Sequence, residues 1–184
     1  MKIISLLLLL AACGTNAVTS ADDARKAYLG LDASIDKAIQ LGFDGFNSAS
    51  SANISPQTAS GTKAGTLTVT GQVDQGTSTN KGMRLFTGYA GYSDDGLLTY
   101  QADPAALPAL TMQLKNIPTG TLSGTLVGTV TMSGTYKGSL ALNLVFNGML
   151  QAGAGNTVQR QPGTTHTTGT ATSTYGTYNV DVTH

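Results

Sequence analysis

Apolar residues recur with two different periods along the chain, and the first period is that of a helix. Between residues 21 and 41, apolar side chains return every three or four positions, which is the spacing of one buried stripe on an α-helix. The stripe consists of Ala24, Tyr28, Leu31, Ile35, Ala38 and Ile39. Ser20 and Asp23 resemble a capping box before it, and Gly42 suits the C′ position after it. The pattern predicts one amphipathic helix over about residues 21–41, whose internal Gly30 costs about 1 kcal/mol unless packing requires it.

The next segment, residues 44–63, has no clear period. It is rich in Ser, Ala and Asn and contains Pro56, a composition typical of surface loops. We expect it to cross the surface as a loop, with Phe43 and Phe46 anchoring it to the core.

From Ala64 onwards the period changes to two, which is typical of antiparallel strands with one buried face. We expect about eight strands between residues 64 and 183. The clearest alternation runs through two successive strands within residues 119–151. Their shared apolar face includes Leu122, Leu126, Val130, Met132, Leu140, Leu142, Leu144 and Phe146.

The turn between these two strands predicts how they pair. A three-residue loop that ends at Gly138, with this glycine in the left-handed conformation, would place Thr135 opposite Ser139. The two apolar faces then coincide, as burial requires. Gly128 would lie opposite Phe146 in this register. Glycines facing large residues allow a sheet to bend sharply or another element to approach closely.

These elements predict a mainly β fold in a single domain over residues 20–184. Short polar turns between successive strands favour an up-and-down meander. We expect a strongly curved antiparallel sheet, a barrel or half-barrel of about eight strands, packed on the one N-terminal amphipathic α-helix. The eight apolar residues of the central hairpin then form either the core or a concave face for an apolar ligand.

Composition and charge reduce the number of functional classes to which the protein could belong. Only 11% of the residues are charged, with 10 Lys and Arg against 10 acidic residues, all of which are Asp. The surface must therefore consist largely of neutral polar groups, and the 28 Thr residues supply many of them. A net charge of zero removes the electrostatic case for nucleic-acid binding. The single Cys excludes an internal disulfide framework.

That one Cys ends an apolar run at the start of the chain. Residues 1–13 read MKIISLLLLLAAC, and the run is about half the length of a membrane-spanning helix, as in a signal peptide. Its end, Leu10-Ala11-Ala12-Cys13, resembles the lipobox of bacterial lipoproteins. The resemblance implies a signal peptide over residues 1–12, a lipidated Cys13 as first mature residue, and a tether over residues 13–19. Gly14 implies export to the outer membrane in that family, because Asp at this position favours inner-membrane retention.

The rest of the chain carries no recognised catalytic motif. It contains no G-x-S-x-G elbow and no phosphate-binding Gly loop. The S-x-x-K pattern lacks the companion motifs of acyl-serine enzymes, so we interpret its occurrences as coincidental. They are Ser34–Lys37, Ser60–Lys63 and Ser78–Lys81. We therefore predict no catalytic residues and a protein that is not an enzyme.

Metal and cofactor motifs are equally scarce. His166 and His184 have no His, Cys or Glu at metal-ligand spacing, and we expect both to be solvated. Asp94-Asp95-Gly96 lacks the alternating oxygen ligands of a calcium loop and predicts a polar turn. The sequence predicts no cofactor and no metal site.

The sequence favours two hypotheses for the function. The first is a non-enzymatic structural or interaction module of the cell envelope, held to the outer membrane by a lipid on Cys13. The second is a carrier of an apolar ligand in the concave face of the sheet. They differ in one observable feature, because Tyr28, Leu31 and Ile35 would leave little room for a ligand if they fill the concavity.

Three weaker hypotheses stay open. Threonine runs such as residues 66–70 and 168–174 resemble the flat arrays of ice-binding proteins, although Thr is also the usual solvent-facing residue of a strand. A membrane-spanning barrel would also alternate polar and apolar residues, but no pair of aromatic girdles is evident. An enzyme whose catalytic residues form no sequence motif is the third.

Overall fold

The computed structural model describes residues 21–184, which form one long helix and ten strands of an antiparallel sheet. The helix α1 spans Ala21–Ser48. The strands are β1 (Gln57–Ser60), β2 (Ala64–Val73), β3 (Lys81–Ser93), β4 (Leu98–Ala102), β5 (Ala109–Lys115), β6 (Thr121–Gly134), β7 (Gly138–Ala152), β8 (Val158–Arg160), β9 (His166–Ser173) and β10 (Gly176–Thr183), with a short 3₁₀ turn at Ala154–Asn156. The mainly β fold with one N-terminal helix is as predicted.

The ten strands occupy eight positions of an up-and-down meander. β4 and β5 lie end to end beside β6, which pairs with β4 near one end and with β5 near the other. β8 and β9 share the far side of β7 in the same way. The segment that separates the two strands of each shared position contains proline. Pro104 and Pro108 lie between β4 and β5, and Pro162 lies between β8 and β9. Proline has no N–H for the ladder, so the strand position breaks there.

The curved sheet wraps around α1. The helix contacts β1 and β2 near one edge of the sheet and β9 and β10 near the other. Tyr28, Leu31 and Ile35 on its stripe are 0–1% exposed and join the apolar side chains of the sheet in one core. The helix therefore fills the concave face of a half-barrel.

The helix is longer than the predicted residues 21–41. Gly42 and Gly45 lie inside it, where a Cβ on Gly42 would come within 2.8 Å of the Met112 sulfur and one on Gly45 within 2.7 Å of Ile54. These glycines let the helix approach its neighbours closely, so tertiary packing outweighs their tendency to end a helix.

Residues 44–63 are correspondingly less loop-like than expected. The first part belongs to α1, and Gln57–Ser60 pairs with β2 as the edge strand β1. Phe43 is buried and Phe46 is partly buried against the core, both from the helix. The four-residue polar strand has too little alternation to be recognised from sequence.

The predicted register of the central hairpin is wrong, although the two apolar faces coincide as expected. Ser139 lies opposite Thr131 instead of Thr135, a displacement of four residues. The turn is wider than predicted, because pairing between β6 and β7 ends at Met132 and Gly138 and residues 133–137 connect these two. Beyond Met132, Ser133 and Gly134 pair with β4. Glycine still faces a large residue, since Phe146 lies opposite Gly124 and its ring occupies the space a Cβ would need.

Candidate functional site

The eight apolar residues singled out from the sequence form the core. Leu122, Leu126, Val130, Met132, Leu140, Leu142, Leu144 and Phe146 are each at most 2% exposed. They belong to one cluster with the buried stripe of α1. The alternation allowed this face to be either the core or a concave binding face for an apolar ligand, and in the structure it is the core. Cys13, the predicted lipidation residue, lies outside the described residues.

Four buried tyrosines join α1 to the sheet. Their side chains are at most 1% exposed, and they are Tyr28, Tyr89, Tyr92 and Tyr100. The Tyr100 hydroxyl donates to the Ala27 carbonyl at 2.7 Å, and the Ser34 hydroxyl lies 3.2 Å from the Tyr89 oxygen. Burial raises the pKa of Tyr89 and of Tyr100. These hydroxyls satisfy buried polar groups and stay protonated, as a structural layer requires.

A cluster around Asp94 ties the helix to the turn after β3. The Asp94 carboxylate accepts hydrogen bonds from Lys37 at 2.7 Å, from Tyr92 at 2.6 Å, and from the Thr62 backbone N–H and hydroxyl. Burial alone would raise its pKa, but the bonds from Lys37, Tyr92 and Thr62 outweigh that and lower the pKa to about 2. Asp94 is therefore a fixed anion at neutral pH.

The predicted polar turn at residues 94–96 is present. The Asp95 carboxylate accepts from the backbone N–H groups of Leu97 at 2.7 Å and Leu98 at 2.9 Å, which closes the turn. Within residues 21–184, no three His, Cys, Asp or Glu side chains come together as a metal site.

The S-x-x-K residues on the helix have structural partners. The buried Ser34 hydroxyl donates to the Leu31 carbonyl at 2.6 Å, a local bond common for serine in helices. Lys37 is engaged with Asp94 and with the Tyr92 hydroxyl at 2.8 Å.

A polar cleft of about 230 Å³ lies between α1, the loop after β8 and the end of the chain. Arg160 forms an ion pair with Asp36 at 2.6 Å in its wall. His184 is half-buried there, with its Nε2 3.8 Å from an Asp32 oxygen, so the expectation of a solvated side chain is wrong for this residue. It packs inward because its backbone pairs with Thr165 in both directions.

His166, the other histidine, is exposed as expected. Its ring lies 2.7 Å from the Asp181 carboxylate across β9 and β10, on the outer face of the sheet. Such an exposed pair contributes little to stability.

A second cleft, of about 440 Å³, is mainly apolar and lies near the N-terminus of α1. Helix residues Leu29 and Gly30 form one side, and Leu97 and Leu98 at the start of β4 form the other. Leu29 is 41% and Leu97 66% exposed. We refer to this feature as the leucine cleft.

Two aromatic residues lie at the same end of the molecule. Tyr136, in the turn between β6 and β7, lines the leucine cleft and donates to Asp23 at 2.6 Å. Its ring packs against Tyr175, in the turn between β9 and β10, with ring centroids 4.8 Å apart.

Sequence reasoning did not find the leucine cleft. The available signal was that Leu29 falls outside the buried stripe of the helix and that Leu97 follows a polar turn. The two leucines are 68 positions apart in the chain, so only the fold brings them together.

The outer face of the sheet is rich in threonine. Hydroxyls of Thr111 and Thr125 lie 2.8 Å apart across β5 and β6. Phe86, Val127 and Val145 are exposed among these polar residues, at 44–45%. The apolar side chains and the curvature of the sheet distinguish this face from a flat, uniform threonine array.

None of the helices within residues 21–184 is a candidate membrane span. The chain matches no protein-family model, no curated protein and no solved structure.

Proposed function

We propose that the protein is a lipoprotein of the bacterial outer membrane, anchored by a lipid on Cys13. Its folded domain acts as a non-enzymatic structural or interaction module of the cell envelope. One observation carries the proposal. The apolar run of residues 3–12 leads into the lipobox Leu10-Ala11-Ala12-Cys13, and Cys13 is the single cysteine of the sequence. Buried acyl chains contribute about 0.8 kcal/mol per CH₂, so more than one chain gives a stable anchor.

The arrangement of polar groups supports a non-enzymatic role. Ser34 contacts Tyr89 of the sheet, Lys37 is bonded to Asp94, and the Arg160 guanidinium in the wall of the polar cleft is paired with Asp36. Each of these groups is engaged in a structural contact, and Ser34 does not line the polar cleft as the nucleophile beside a base and an oxyanion donor would.

The packing of the concave face favours the module over the carrier of an apolar ligand. Tyr28, Leu31 and Ile35 occupy the space that a ligand would take, and they are fully buried. A carrier would have to displace the helix from the sheet before binding. Native mass spectrometry of the protein purified from its membrane tests this alternative, because a carrier would retain a noncovalent lipid in addition to the lipid on Cys13.

The anchor is tested by metabolic labelling with palmitate and by membrane fractionation of cells that express the full chain. We expect the wild-type protein to carry label and to sediment with outer membranes. The Cys13→Ala variant should accumulate as an unlabelled precursor, whereas Asn16→Ala, in the tether, should behave as wild type. Palmitate incorporation into Cys13→Ala, together with unchanged membrane partitioning, would contradict the proposal.

A further inference from the structure

We propose that the leucine cleft docks on the lipid bilayer that holds the anchor, with Leu29 and Leu97 inserted among the lipids. This inference rests on the proposed lipidation of Cys13. It adds a second membrane contact, made by the folded domain itself, and an orientation of that domain relative to the bilayer.

The first argument is exposure. Leu29 and Leu97 are two of the six large apolar side chains that are exposed within residues 21–184. They flank one cleft whose walls include Gly30 and Leu98. Leucines that project on both sides of an apolar cleft form a continuous apolar surface, which is typical of an interaction site.

The second argument is the length of chain between the anchor and the fold. Cys13 and Ala21, the first residue of α1, are eight positions apart in the chain, so this connection spans at most about 28 Å. Leu29 lies eight residues into the helix, about 12 Å along its axis. A lipid on Cys13 therefore keeps the N-terminal end of α1 near the bilayer and brings the leucine cleft within reach of it.

The third argument is the chemistry of this end of the molecule. Tyr136 and Tyr175 lie in neighbouring turns here, and tyrosine is enriched at membrane interfaces because its ring is apolar and its hydroxyl is polar. The lining of the cleft carries one charge of each sign, on Lys26 and on Asp95. Contact with the bilayer is therefore apolar and should depend little on salt or on anionic lipid.

The absence of tryptophan from the sequence makes a direct experiment available. In Leu97→Trp, the introduced residue is the one tryptophan of the chain and reports its own surroundings. The lipidated full-length variant is reconstituted into vesicles of phosphatidylethanolamine and phosphatidylglycerol, with and without bromine on the acyl chains. Val127→Trp is the matched control, because Val127 is exposed on the outer face of the sheet, at 45%.

We expect the emission of Trp at position 97 to shift to shorter wavelength in vesicles, relative to detergent-free aqueous buffer, and to be quenched by brominated chains. The emission at position 127 should show neither change. Raising the salt concentration should leave the quenching at position 97 in place.

Four results would overturn the inference. Equal quenching at positions 97 and 127 would mean that the bilayer contacts no particular face. A blue shift at position 97 without bromine quenching would mean that a protein surface, such as a second copy of the chain, covers the cleft. Palmitate-labelled protein with no change at position 97 would overturn the docking and leave the proposed function standing. Absence of palmitate from the wild-type protein would overturn the proposed function and this inference with it.

Discussion

Gly30 offers the sharpest test of how α1 packs on the sheet. In an isolated helix, Gly30→Ala should stabilise by about 1 kcal/mol. In the folded protein, a Cβ at this position would lie 2.6 Å from the Tyr100 hydroxyl oxygen and 3.0 Å from an Asp95 oxygen. Because Tyr100 donates to the Ala27 carbonyl at 2.7 Å, the hydroxyl cannot move away without losing a buried hydrogen bond.

The magnitude follows from these opposing effects. Overpacking a well-packed interior costs about 1–3 kcal/mol, and loss of the Tyr100 hydrogen bond costs about 1 kcal/mol more. After the gain in helix propensity, we expect Gly30→Ala to lower the free energy of unfolding by about 1–3 kcal/mol. Tyr100→Phe removes the hydroxyl and should cost about 1 kcal/mol by itself, because Ala27 lies within the helix and its carbonyl also belongs to the helical ladder.

The double variant separates steric conflict from other causes. With Phe at position 100, the new methyl group at position 30 gains room, so the double variant should be about as stable as Tyr100→Phe alone. The two substitutions would then be non-additive by about 1–3 kcal/mol. Urea unfolding of the four proteins in mild detergent, followed by far-ultraviolet circular dichroism, measures the coupling. An additive double variant, or a stabilised Gly30→Ala, would refute the packing argument.

Three further predictions concern charge and packing. The pKa of Asp94, lowered from 3.8 to about 2 with a side chain only 15% exposed, corresponds to about 2 kcal/mol of stability. This stability is present above pH 4 and lost as the pH falls towards 2. Urea titrations should therefore show Asp94→Asn destabilised at pH 7 but nearly equal to wild type near pH 2. At pH 7, Asp44→Asn should be close to wild type, because Asp44 is exposed. Leu144→Ala should cost about 2–5 kcal/mol in the same assay, whereas Val145→Ala on the outer face should cost little, because only Leu144 leaves a cavity. Gly124→Ala should destabilise by about 1–3 kcal/mol, because its methyl group would meet the facing phenylalanine ring and a backbone oxygen; a stability equal to wild type would contradict this account.

Periodicity predicted which side of each element is buried, because burial itself imposes the period. The stripe of α1 and the apolar face of the central hairpin are both in the core. The end of the helix was not predictable in this way. Gly42 is compatible with a helix interior only because Met112 and Leu85, far away in sequence, fill the space beside it.

The hairpin register and the leucine cleft depend on partners that no local pattern reveals. Pairing between β6 and β7 ends at Met132 and Gly138, so the turn is wider than residues 133–138 alone suggest, and the end of β6 pairs with β4 instead. The cleft joins Leu29 on the helix to Leu97 on the sheet, and its existence depends on how deeply the helix sits. Elements whose neighbours are local are thus predictable, and sites between distant elements are not.

The three glycines that face the sheet from α1 have a structural role. A 28-residue helix fits inside a curved sheet only if its backbone can approach closely, and Gly30, Gly42 and Gly45 provide that space where tyrosine, methionine and isoleucine side chains reach the helix. The same close packing occupies the concave face with the protein's own side chains. The surfaces open to a partner are therefore on the outside of the fold, namely the hydroxyl-rich outer face of the sheet and the apolar leucine cleft. Of these two surfaces, the leucine cleft lies nearer the N-terminal end of α1. The proposed anchor and the proposed docking surface would therefore belong to one end of the molecule, and the threonine-rich face would remain exposed.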